Sequence, residues 1–170
     1  MNFKIIILLL CFSFHLTSCN NNNTKFTQWK SKVASMKSTE FVTWWNDSER
    51  YNEWIFSLYG KNGLVWPDSS SVEQIFTSKL LNCYRMTFLL QSIYGGEPVY
   101  LYQPTSNYDH VLLLLYSNDE KSYIMISYPN GGSPETCVYK ILKTENKEEA
   151  LAKITEYFPG SNINKITLKH

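Results

Sequence analysis

The chain has almost no net charge. Sixteen basic residues stand against fifteen acidic ones, and setting aside residues 1–18, which hold only Lys4, makes the count fifteen to fifteen. That balance gives no reason to expect nucleic acid or an anionic surface as the main partner. Histidine is scarce at three residues and cysteine at four. None falls at the spacing of zinc ligands, so no metal is expected, and no other cofactor. No glycine-rich phosphate loop is present either. No apolar run reaches the ~20 residues a comfortable membrane span needs. There is no internal repeat. What the chain has in quantity is apolar surface: 44% of its 170 residues are hydrophobic and 15% aromatic. That argues for one folded domain of ordinary size with a real core.

The first 24 residues stand apart. Lys4 gives a positive end and Ile5 to Phe14 a short apolar stretch. Leu16-Thr17-Ser18-Cys19 and a run of asparagines from Asn20 follow. This resembles a bacterial lipoprotein signal, with residues 1–18 removed and Cys19 acylated. The alternative is an ordinary secretory signal. The resemblance implies a lipid-anchored, extracytoplasmic protein of the cell envelope, with the membrane as partner through Cys19. Residues 19–24 then read as a polar tether and 25–170 as a single domain. Cys83 and Cys137 remain in a compartment that permits disulfides, so a bond between them is an open alternative.

The domain reads as α+β. Phe26, Trp29, Val33 and Met36 recur at helical spacing over 25–36. Ser38 is placed to cap a second helix through Trp45, and Asp47 or Ser48 a third carrying Tyr51, Trp54, Ile55 and Leu58. Four of the five tryptophans lie in this region, which reads as core. Ser70 and Glu73 fit a capping box for a short helix to Ser78. Asn82 is a good cap for a helix from Cys83 to Tyr94 that is apolar nearly all round. Gly95-Gly96 and Pro98 end it. The period then changes to that of strands over 99–102, 110–116, 123–128 and 136–142. An amphipathic helix from Thr144 or Asn146 to Phe158 follows, then a last short strand over 164–168. Helices packed on an antiparallel sheet of about four strands, with the Cys83 helix central, are expected.

Two residues carry chemistry. A thiol in the first turn of a helix faces unpaired backbone N–H groups and the positive end of the dipole, which favour the thiolate. His110 heads a strand and is the one histidine within the domain apart from the final His170. It is placed to act as general base toward Cys83. Each has a plain alternative: a buried small hydrophobe at a helix start, and a surface histidine at a strand entry.

Their order and surroundings resemble the transglutaminase-like superfamily, a branch of the papain-like cysteine enzymes. The likeness covers Ser70 to Asn130: a short capped helix, Cys83 opening an apolar helix, the Gly96-Glu97-Pro98 exit, and His110 opening the next strand. The resemblance implies that Cys83 is the nucleophile and His110 its base. The family's orienting Asp would stand at Ser127, with Asn130 as the alternative occupant of that role. Leu81 stands where the family usually has Gly, and Val111-Leu112 where it often has a small residue and Trp. The implied function is an anchored cysteine enzyme acting on amide bonds, by peptide or cell-wall peptide hydrolysis or by acyl transfer. The alternative is a non-catalytic module of the same fold that binds a peptide or protein. Neither reading sets the oligomeric state.

Overall fold

The change of period after Pro98 marks the turn from helices to sheet. The computed structural model describes residues 23–49, 54–56, 68–104, 108–128 and 138–164. Cys19, Asn130, Cys137 and His170 lie outside them.

Helix α1 spans 23–34 and buries Phe26, Trp29 and Val33, the i, i+3, i+7 stripe of its sequence. The tether expected through Thr24 is therefore two residues too long, since 23 and 24 already belong to the helix. Helix α2, Ser38–Trp44, opens with the Lys37 backbone N–H donating to Glu40 Oε2 at 3.0 Å. It runs on into a π-turn, Trp45–Glu49. The third expected helix is not formed at its centre. Ile55–Phe56 is instead a two-residue strand, β1, parallel to β2 at Leu80–Leu81. Short apolar runs fit either period, and here the pairing partner decided the outcome. Trp54 is buried as expected.

Helix α3, Val72–Ser78, carries a capping box one residue later than expected. Ser71 Oγ accepts from the Gln74 N–H at 3.3 Å, and Gln74 Oε1 accepts from the Ser71 N–H at 2.7 Å. Both frames satisfy the Ser-x-x-Glu/Gln pattern, but Ser70 is engaged elsewhere. Helix α4, Cys83–Tyr94, starts where the sequence placed it: Asn82 Oδ1 accepts from the Arg85 N–H at 2.8 Å. Gly95 and Gly96 end it at φ 72° and 87°. Glycine is obligatory at 96, because a Cβ there would lie 2.7 Å from the Leu114 carbonyl oxygen.

Among the described residues the main sheet has five strands in the order β6-β5-β4-β3-β7, antiparallel throughout. They are β3 Glu97–Gln103, β4 Tyr108–Ser117, β5 Ser122–Ser127, β6 Val138–Ile141 and β7 Asn162–Asn164. The fifth strand is the short C-terminal one, found slightly earlier than expected and paired to β3. Helix α5, Lys147–Tyr157, is capped by Asn146 and precedes it. The architecture is thus α+β, with helices on an antiparallel sheet.

The sheet has two distinct cores. On one face α4 lays Met86, Leu89 and Leu90 against Leu113, Leu115, Ile124 and Ile126, joined by the aromatic layer of Phe41, Trp45 and Trp54. On the other face α5 lays Ala150 and Ile154 against Val99, Leu101, Leu112, Leu114 and Met125. Each large side chain buried there contributes about 1.5–3 kcal/mol. Residues 110–115 are buried without a break, as a strand covered on both faces requires.

Candidate functional site

The site is built around the start of α4. Cys83 is its first residue, half-buried, and packs against the α4-side core. It is the one cysteine among the described residues and carries a thiol. Just behind it is a charge cage that sequence reasoning missed. The Arg85 guanidinium, 9% exposed, donates from Nε to Asp68 Oδ2 at 2.5 Å, and the Asp68 side chain is 3% exposed. Its Nη2 reaches Ser70 Oγ at 2.8 Å and its Nη1 the Leu80 carbonyl at 3.2 Å. Burial pushes the Asp68 carboxyl upward. The hydrogen bonds from Arg85 and from Ser70 outweigh that and hold it below the usual carboxylate range. The cage fixes the segment before α3 onto α4. The only signal for it was an arginine inside an otherwise apolar helix, which must find a buried partner or leave the core.

His110 lies elsewhere. Its register partner is Leu101, and it shares a face of β4 with Leu112 and Leu114. That is the α5 face. There its Nε2 lies 2.7 Å from Ser127 Oγ, and its ring centroid is 5.5 Å from that of Phe158. Ser127 is opposite Leu112 on β5, so the two polar residues meet diagonally across neighbouring strands. His110 is 1% exposed. Burial pulls its pKa down to about 4, so the ring is neutral at physiological pH.

The expected site therefore comes together only in part. The structure joins His110 to Ser127. It does not join His110 to Cys83. Leu113 and Leu115 of β4 pack into the α4-side core, and Thr87 on α4 donates to the Val111 carbonyl at 3.2 Å. Side chains alternate along a strand, so the sheet itself stands between the imidazole and the thiol. A general base must be within hydrogen-bond reach of the proton it takes, directly or through one water. His110 does not meet that requirement toward Cys83. Asn130, the alternative third member, lies outside the described residues.

No group of three or more metal-ligating side chains is assembled among the described residues. Comparison with family models, curated proteins and solved structures finds no match.

Proposed function

We propose that this chain is a lipid-anchored module of the bacterial cell envelope with a degenerate transglutaminase-like layout. It acts by binding a peptide or protein rather than by breaking amide bonds. One observation carries this reading: Cys83 and His110 lie on opposite faces of the sheet. The retained order of capped helix, Cys83 helix, glycine exit and His110 strand supports the lineage. So does the Ser127 hydroxyl on the His110 ring at the position of the family's acid.

The second reading keeps an enzyme. Cys83 opens a well-capped twelve-residue helix and is not fully buried, which is the setting of a reactive thiol. It would need a base other than His110.

Alkylation separates the two. Iodoacetamide is reacted with wild type and with His110→Gln, which preserves a partner for Ser127, across pH 6 to 8. The binding reading expects slow and superimposable rate profiles for Cys83. A several-fold slowing at pH 6 in His110→Gln, with a shifted inflection, would restore the catalytic pair and overturn it. A fast wild-type reaction that ignores His110 favours the enzyme with another base.

A further inference from the structure

Among the described residues the main sheet ends on an unpaired edge. Strand β6 closes the order on one side and has β5 as its strand neighbour. The Leu142 N–H donates to the Tyr123 carbonyl at 2.9 Å, continuing the register in which Ile141 stands opposite Ile124. In an antiparallel pair the main-chain groups point to the partner strand at every second residue. Val138 and Lys140 therefore bond to β5, and Tyr139 and Ile141 turn their N–H and C=O groups outward. The side chains of Tyr139 and Ile141 pack against the α4-side core. Those of Val138 and Lys140 stand on the α5 face and are exposed, Val138 at 47%. An edge with donors and acceptors at alternate residues fits one kind of occupant, another extended backbone.

Lys140 decides between a second copy and a foreign peptide. A second copy pairing antiparallel along the whole of β6 sets Tyr139 against Ile141 and Lys140 against its own counterpart. That is a pair without mutual hydrogen bonds, with Cα atoms about 4.5 Å apart, and like charges there repel. A lysine in a short edge strand is a common guard against such self-pairing. Its ammonium lies 4.0 Å from the centre of the Tyr157 ring, which is also exposed. The ring holds the ammonium but does not neutralise it, so a carboxylate suits the position opposite. We infer that the outer edge of β6 takes up an extended peptide as a further antiparallel strand, bonded through the main chain of Tyr139 and Ile141 and carrying an acidic side chain opposite Lys140. This rests on the binding reading and gives it a site and a partner class. Main-chain bonds supply affinity with little demand on sequence. The positions opposite Val138 and Lys140 supply the preference, a β-branched side chain at the first and a carboxylate at the second.

The test uses the full chain in detergent micelles and the synthetic peptide Ser-Val-Thr-Glu-Thr-Val-Ser, blocked at both ends. Amide exchange is followed residue by residue by NMR. In the chain alone the Val138 and Lys140 amides should be protected, and those of Tyr139 and Ile141 should exchange fast. Saturating peptide should slow the latter two by about ten-fold or more. Methylating the backbone nitrogen of either threonine, which faces Tyr139 or Ile141, removes a hydrogen bond and should weaken binding by about five-fold or more. Methylating the glutamate nitrogen, which faces away from β6, should change binding far less. Lys140→Glu should weaken binding a few-fold, and replacing the peptide's glutamate by lysine should restore it. Protection of Tyr139 and Ile141 that grows with protein concentration in the chain alone puts a second copy on the edge and overturns the proposal. Protection there at every concentration shows that the chain covers its own edge and overturns it too. Equal losses from the threonine and glutamate methylations, protection away from β6, or no binding at millimolar peptide overturn the edge site and leave the binding reading standing. That reading is decided by the alkylation of Cys83, which none of these measurements touches.

Discussion

Acid should destabilise this domain earlier than its carboxylates can explain. His110 ordinarily titrates near 6.5, and in the folded chain burial pulls it down to about 4. The unfolded chain therefore binds one more proton than the folded chain between those values. The stabilising contribution is fully present above pH 6.5 and is lost as the pH falls through about 4. The slope is about 1.4 kcal/mol per pH unit, so the full loss is about 3 kcal/mol. That is a large share of the stability of an ordinary domain. Asp68, held below its usual range, loses its contribution only at lower pH, so the two effects separate. Urea denaturation at half-unit steps from pH 7.5 to 4 measures the slope. His110→Gln keeps a hydrogen-bonding partner for Ser127 and cannot take the proton. Its absolute stability will be lower, but its stability should be nearly flat over the same window. If wild type is flat there, or if the variant keeps the wild-type slope, the ring is not a buried neutral base and the placement of His110 is wrong.

Two further outcomes test the frame around the site. Arg85→Ala strands the Asp68 carboxylate in the core and should cost about 3–5 kcal/mol by chemical denaturation, whereas Arg85→Met with Asp68→Leu should recover most of it. Equal losses in the single and double variants would show that the cage is not a paired unit. Gly96→Ala combines a positive φ with a Cβ 2.7 Å from backbone oxygen, while Gly95→Ala meets nothing within 4 Å. The first should lower the melting temperature clearly more than the second, whose cost is only the ~1–3 kcal/mol of an alanine held in a backbone region that is nearly glycine-only, φ 72° and ψ -145°.

Local structure was more legible in the sequence than the pairing of the two candidate residues. The start of α4 could be read because one asparagine and one glycine pair fix both ends of the helix. The sheet could be read because the period changes at Pro98. The face of His110 could not be read from the pattern. A strand shows its orientation when one side is apolar and the other polar. Here Val111, Leu112, Leu113, Leu114 and Leu115 are apolar on both sides, and Ile124, Met125 and Ile126 give no better contrast. Either parity satisfies that pattern. The choice is visible only in contacts distant in sequence. The Leu114 carbonyl closes on Gly96, Thr87 donates to the Val111 carbonyl, and Ser127 meets the ring. The Arg85 cage was hidden for the same reason, since Asp68 is seventeen residues away, with α3 and β2 between the two.

The parity of one strand thus decides whether His110 can serve Cys83 as a base. A base in a cysteine enzyme must take a proton from the thiol and later deliver one to a leaving group, so it needs contact with both and a path to the substrate. His110 has a hydroxyl at Nε2, a phenyl ring nearby and 1% of its surface exposed. It is neutral, enclosed and on the wrong face. A one-residue slip of β4 would carry it to the α4 side, but would also drive a side chain into the space that Gly96 leaves for the Leu114 carbonyl and exchange every leucine between the two cores. The glycine contact and the filled cores together hold His110 where it is. The same packing that makes the fold robust therefore holds the imidazole on the α5 side of the sheet and the thiol on the α4 side, which is the arrangement the proposed binding role rests on.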